Sequence, residues 1–210
     1  MELPSGRREN VSTELPITRT MRVCSIASML LTTECVISDS EEDDNVETID
    51  WAYSSQYIAF GTDINTATEP LGVYSFNGTS LTLEDKVAIG NGAETEINSV
   101  RWHPSALLLG VVRQSGTGNE IFVYSFNGSS LTQEDSDEYG ASCRACVWHT
   151  SGGYLFVGGV NATEEIRIYP VSSGGVLGTP FDFDISPDRD VLFEAMDIDA
   201  TGSYLAVGVE

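Results

Sequence analysis

Two cysteines, two histidines and several acidic runs are the residues of this chain whose types and spacing could do chemistry. Cys143-Arg144-Ala145-Cys146 has the spacing of a redox or zinc pair, but the sequence holds no second Cys-x-x-Cys. Residues three apart on a strand point to opposite faces of a sheet, so both thiols are expected to be ordinary packing residues. His103 and His149 each follow a tryptophan and are read as turn residues. Asp182-Phe183-Asp184 and the run SDSEEDDN at 38–45 carry the hard oxygen donors that a divalent cation takes, yet neither has the spacing of a twelve-residue calcium loop. No Gly-x-Ser-x-Gly elbow, phosphate loop or His-Glu-x-x-His is present, so the motifs assign no catalytic residue and no cofactor.

The charge narrows the partners. With 10 basic against 32 acidic residues the net charge is −22, a field that repels nucleic acid and anionic membranes and suits a basic protein or peptide. Cys24 and Cys35 are the other cysteines, and four so unevenly spaced do not form a disulfide framework, which favours a reducing compartment such as the cytoplasm. The apolar run from Val23 to Leu31 follows Arg19 and Arg22 like a signal peptide, but Ser25 and Ser28 interrupt it. No stretch is long enough to span a membrane as a helix.

The elements that must carry these residues emerge from self-comparison. VYSFNGTSLT at 73–82 recurs as VYSFNGSSLT at 123–132, an offset of 50 with one difference, Thr79 against Ser129. Trp51, Trp102, Trp148 and Ile198 recur at steps of 51, 46 and 50. Each precedes a polar turn and an apolar run ending in glycine (YIAFG, LLLG, YLFVG, YLAVG), which reads as a strand buried on both faces. The same ruler places RVCSI at 22–26 opposite GVYSF, so the apparent signal peptide is repeat sequence. One unit is read as strand a at 97–102, b at 106–112, c at 120–126 and d at 130–137. The chain then divides into a polar, flexible lead-in (1–19), a c–d half-unit (20–40), full units at 46–88, 97–137 and 142–185, and an a–b half-unit (192–210).

VRWHPSALLLG at 100–110, VWHTSGGYLFVGG at 147–159, EIRIYPV at 165–171 and DIDATGSYLAVG at 197–208 together resemble the WD-repeat class of β-propeller over residues 20–210. Two signatures of that class are missing: Tyr74-Ser75, Tyr124-Ser125 and Tyr169-Pro170 stand where its Trp-Asp dipeptide falls, and no Gly-His pair precedes strand a. The resemblance implies an all-β propeller of four-stranded antiparallel blades, strand a at the central channel and d at the rim. With about four repeats the propeller is complete only if the c–d pair at one end joins the a–b pair at the other. Otherwise it is partial, and two chains could pair their halves in a homodimer.

In that architecture the d–a and b–c connections share one face. The d–a stretches hold Asp39, Glu41, Glu42, Asp43 and Asp44; Glu94 and Glu96; Glu134, Asp135, Asp137 and Glu138; and Asp182 and Asp184. The opposite turns hold Asp199 alone. The expectation is therefore a non-catalytic interaction module that presents this acidic face to a basic protein or peptide. The alternative is a propeller hydrolase or lactonase whose metal sits on carboxylates at the channel, drawn from Glu47, Asp50, Glu96 and Glu194.

Overall fold

Runs rich in Val, Ile, Leu and Tyr between turn residues become strands because branched and aromatic side chains fit a half-buried pleated surface. A computed structural model describes residues 20–27, 30–38, 45–63, 69–89, 96–114, 118–160, 165–185 and 193–209, and among them are sixteen strands and no helix. The lead-in 1–19 lies outside the described residues. β1 (Thr20–Ala27) pairs with β2 (Leu30–Ser38). The first full sheet is β3 (Asn45–Trp51), β4 (Tyr57–Asp63), β5 (Leu71–Phe76) and β6 (Leu81–Val87). The second is β7 (Ile97–Trp102), β8 (Leu108–Arg113), β9 (Ile121–Phe126) and β10 (Leu131–Asp137). The third is β11 (Cys143–Trp148), β12 (Tyr154–Gly159), β13 (Ile166–Pro170) and β14 (Phe181–Phe183), and β15 (Phe193–Ile198) pairs with β16 (Leu205–Val209). Every pairing is antiparallel between chain neighbours.

The sheets are blades. β3 packs on β7, β7 on β11 and β11 on β15, whereas the outer strands touch only at their margins, β2 at β6 and β6 at β10. First strands gathered and last strands fanned out is the propeller arrangement. The expected fold class is thus the observed one, and the expected strands of the second blade differ from β7–β10 by at most two residues at an end. β1–β2 and β15–β16 remain separate two-stranded sheets, so the blades form part of a propeller and not a ring closed at four.

Apolar cores fill the space between successive blades. Ala59, Leu71 and Val73 of the first full blade pack with Val100, Trp102 and Phe126 of the second. Val112, Ile121 and Val123 of the second pack with Cys146, Trp148 and Leu155 of the third, and Val147 and Ile166 of the third pack with Met196 of the last pair. The a–b turns add a staple: His103 Nε2 lies 3.1 Å from Gly152 O in the next blade, and His149 Nε2 3.1 Å from Gly202 O. Gly152 has φ +75°, and a Cβ there would sit 2.1 Å from His103 Nε2, so backbone and packing both demand glycine. The c–d turns of the first two full blades are built on Asn-Gly pairs. Only their glycines, Gly78 and Gly128, take positive φ, while the Asn77 and Asn127 Oδ1 atoms accept the N–H groups two and three residues on.

Candidate functional site: the bulges of the inner strands

Each inner strand leaves one residue out of its ladder at the same repeat position. The register skips between Val46 and Thr48, Ile97 and Ser99, Cys143 and Ala145, and Phe193 and Ala195. The bulged residues are Glu47, Asn98, Arg144 and Glu194, all polar, on strands that are side by side around the propeller axis. A bulge re-aims one side chain without ending the strand, and bulges concentrate beside active sites for that reason. Asn98 Nδ2 donates to Cys143 O at 2.6 Å, tying its own strand to the next. Glu47 is exposed. Arg144 Nε is buried and, among the described residues, finds no hydrogen-bond partner. A buried guanidinium nitrogen without an acceptor costs free energy that an anionic or carbonyl oxygen would return.

The rest of the inner edge is accounted for by structure. In the β7–β8 ladder the N–H groups of Val100 and Trp102 point away from β8, and the preceding blade caps both: Thr48 Oγ1 accepts from Val100 N at 3.2 Å and Asp50 Oδ2 from Trp102 N at 2.6 Å. Burial raises the Asp50 pKa above its ordinary value, opposed by the Trp102 N–H and by Arg101. Asp50 is therefore a blade-to-blade tie. Glu96 is half-buried just before β7, and its carbonyl accepts from Gln114 N at 2.9 Å. Of the four carboxylates named for a metal, Asp50 is committed to Trp102, and Glu194 is placed here by its backbone alone. Among the described residues no three Asp, Glu, His or Cys side chains converge to hold a metal ion.

The Arg144 bulge also corrects the expectation for the cysteines. The extra residue reverses the alternation, so Cys143 and Cys146 lie in one buried cluster instead of on opposite faces. Both are free thiols, and burial pushes Cys143 well above its ordinary pKa and Cys146 up to about 11, so neither is a thiolate near neutrality.

Several acids of the expected face serve the fold. Glu134 is the bulged residue of β10 and accepts the Ser125 hydroxyl at 2.5 Å, as Glu84 accepts Ser75 one blade earlier. Asp135 Oδ2 accepts from Leu177 N at 2.9 Å in the next blade, and Asp85 Oδ2 likewise from Leu131 N at 2.7 Å. Asp137 accepts the Tyr169 hydroxyl at 2.9 Å, and Asp182 Oδ1 lies 3.1 Å from Arg167 Nε. Glu138 and Asp184 are exposed. Asp39, Glu41, Glu42, Asp43, Asp44 and Glu94 lie outside the described residues. Two acids of the b–c connections, which the sequence assigns by position to the acidic face, are instead buried. Glu120 Oε2 accepts from Tyr139 N at 2.9 Å and Gly140 N at 3.2 Å, and its repeat counterpart Glu165 accepts from Ile185 N at 3.0 Å. Their offset from one another, each just before a strand c, was the available signal.

The sequence matches no protein-family profile and no curated protein. Solved structures share its fold. A protein from Lactobacillus plantarum superposes with a TM-score of 0.71 at 16% identity, over 89% of this chain and 56% of that one. A "putative 6-phosphogluconolactonase" from Bacteroides uniformis superposes with a TM-score of 0.67 at 14% identity, over 90% of this chain and 57% of that one. The chain thus spans just over half the length of these relatives, and identities this low carry the propeller fold alone. The expectation of a non-catalytic interaction module is corrected here: the Bacteroides uniformis neighbour bears an enzyme's name, and several acids of the supposed contact face are internal ties.

Proposed function

We propose that this chain is an arc of a propeller hydrolase that opens the lactone of an anionic sugar acid. The observation that carries the reading is the buried, unpartnered Arg144 Nε on a bulge level with Glu47, Asn98 and Glu194. The name of the Bacteroides uniformis neighbour supports the substrate class. Arg144 holds the lactone carbonyl or the acid group, where in-plane N–H donors stabilise the charge that develops on oxygen. A bulge carboxylate takes a proton from water as its oxygen bonds to the carbonyl carbon. The ring C–O bond then breaks and the carboxylate returns the proton to the ring oxygen, giving the open hydroxy acid. The WD-like pattern of the repeats belongs to the same reading as architecture.

The test is hydrolysis of 6-phosphogluconolactone, followed by acid release in a pH-stat. Turnover by the native chain with loss of about 100-fold or more in kcat/KM for Arg144→Met supports the reading. A native rate equal to buffer rejects it.

A further inference from the structure

The two half-blades are complementary: among the described residues β1–β2 has no inner pair and β15–β16 no outer pair. Thr48 and Asp50 face the following blade, so Ile49 and Trp51 face the preceding one, of which the described residues supply only the c–d pair β1–β2. The counterparts of Ile49 and Trp51 are Val100 and Trp102, 0% and 5% exposed, and Cys146 and Trp148, 1% and 4% exposed. Ile49 and Trp51 themselves are 49% and 42% exposed. What would cover them is an a–b pair continuous with β1–β2, and β15–β16 is such a pair, its b strand open on the side where a c strand belongs.

The repeats fix the register. In the full blades Ile58 pairs with Tyr74, Leu109 with Tyr124 and Leu155 with Tyr169. Leu205 is the next member of the first series and Cys24 precedes Tyr74 by one 50-residue repeat, with the same bulge between Val23 and Cys24 as between Val73 and Tyr74. The open edges therefore match as Leu205 with Cys24, Ala206 with Val23 and Val207 with Arg22. On the inner strand Asp197 stands where Asp50 stands, placed to take the Trp51 N–H as Asp50 takes that of Trp102.

We propose that a second copy of this chain supplies the missing pair, so that two arcs complete one eight-bladed ring through two identical seams. The occupant is taken to be a second copy because the open edges of β16 and β1 match in register yet stay in separate sheets within the one arc. A two-fold pair of half-rings buries both open edges of each copy. Each seam sets Glu194 of one copy beside Glu47 of the other on adjacent inner strands. The inference does not depend on the hydrolase reading.

Light scattering behind size exclusion, on the full chain at micromolar concentration, is expected to give twice the 22.7 kDa chain mass. Leu205→Cys sets a thiol opposite Cys24 at the Cα spacing of a hydrogen-bonded antiparallel pair, about 5.5 Å, which a disulfide can bridge. Oxidation should join two chains into a covalent dimer, and Cys24→Ser should abolish it. Trp51→Glu changes a residue exposed in the single arc and should weaken association on the order of 100-fold while far-ultraviolet dichroism stays that of the native strands. A monodisperse monomer, a disulfide within one chain, or a Trp51→Glu variant as dimeric as the native chain overturns the proposal. Open-ended aggregation, with copies adding beyond two, also overturns it.

Discussion

Trp51 and Trp102 occupy the same place in successive blades, yet one is half in solvent and the other is core. Trp102 closes a cluster with Ala59, Val73 and Phe126 because the blade before it is complete, whereas Trp51 faces a blade of which the described residues supply only the outer pair. A propeller repeat thus does not bury its own hydrophobic face. Its core lies between units, and the same residue type is stabilising or exposed according to its neighbour.

Truncation separates the two tryptophans most clearly. Trp102→Ala should destabilise the fold by about 3–5 kcal/mol in urea unfolding, while Trp51→Ala in a monomeric arc should cost about 1 kcal/mol or less. Equal costs would mean that the two faces are equally covered. Next in size is Glu120→Ala, which strands the Tyr139 and Gly140 N–H groups and leaves buried Arg113 without its nearby carboxylate. A loss of about 3 kcal/mol by the same method is expected for removing one side of a buried charged network. Gly152→Ala forces a Cβ onto His103 at positive φ and should cost about 1–3 kcal/mol, with part regained in the double variant with His103→Ala. Gly153→Ala, beside it and meeting only Ser151 Oγ, should cost less.

The complete interfaces should also titrate together at high pH. Burial raises Tyr124 up to about 12 and Cys146 up to about 11, and moves Tyr139 and Tyr169 upward as well. A group whose pKa is raised in the fold gives stability that is full below its unfolded value and lost as pH rises through the folded one. Stability should therefore be flat through neutrality and fall from about pH 9 to 12, with tyrosinate absorbance rising cooperatively at unfolding. A smooth rise near pH 10 without loss of structure would mean that these phenols are already in water.

The blades were legible in the sequence because the repeat and its apolar runs are local and periodic: the offset from VYSFNGTSLT to VYSFNGSSLT locates strands c and d, and the tryptophan series locates a and b. The site was only half legible. Glu47 and Glu194 stood out as acids on inner strands, but Asn98 and Arg144 were passed over because the bulge that makes the four equivalent depends on backbone pairing, which alternation counting cannot see. That inserted residue also put Cys143 and Cys146 in one cluster. The acidic loops misled for a related reason. Charge counts do not separate Asp135 and Glu120, which accept backbone N–H groups, from the exposed Glu138 and Asp184.

Whether the bulge positions of the inner strands form the proposed hydrolytic site is tested most directly by comparing 6-phosphogluconolactone hydrolysis by the native chain and by Arg144→Met at equal folded concentration. Catalysed ring opening that falls about 100-fold or more in kcat/KM when the guanidinium is removed, with strand content unchanged, is the expected result. Hydrolysis no faster than buffer, or a rate untouched by Arg144→Met, would contradict it.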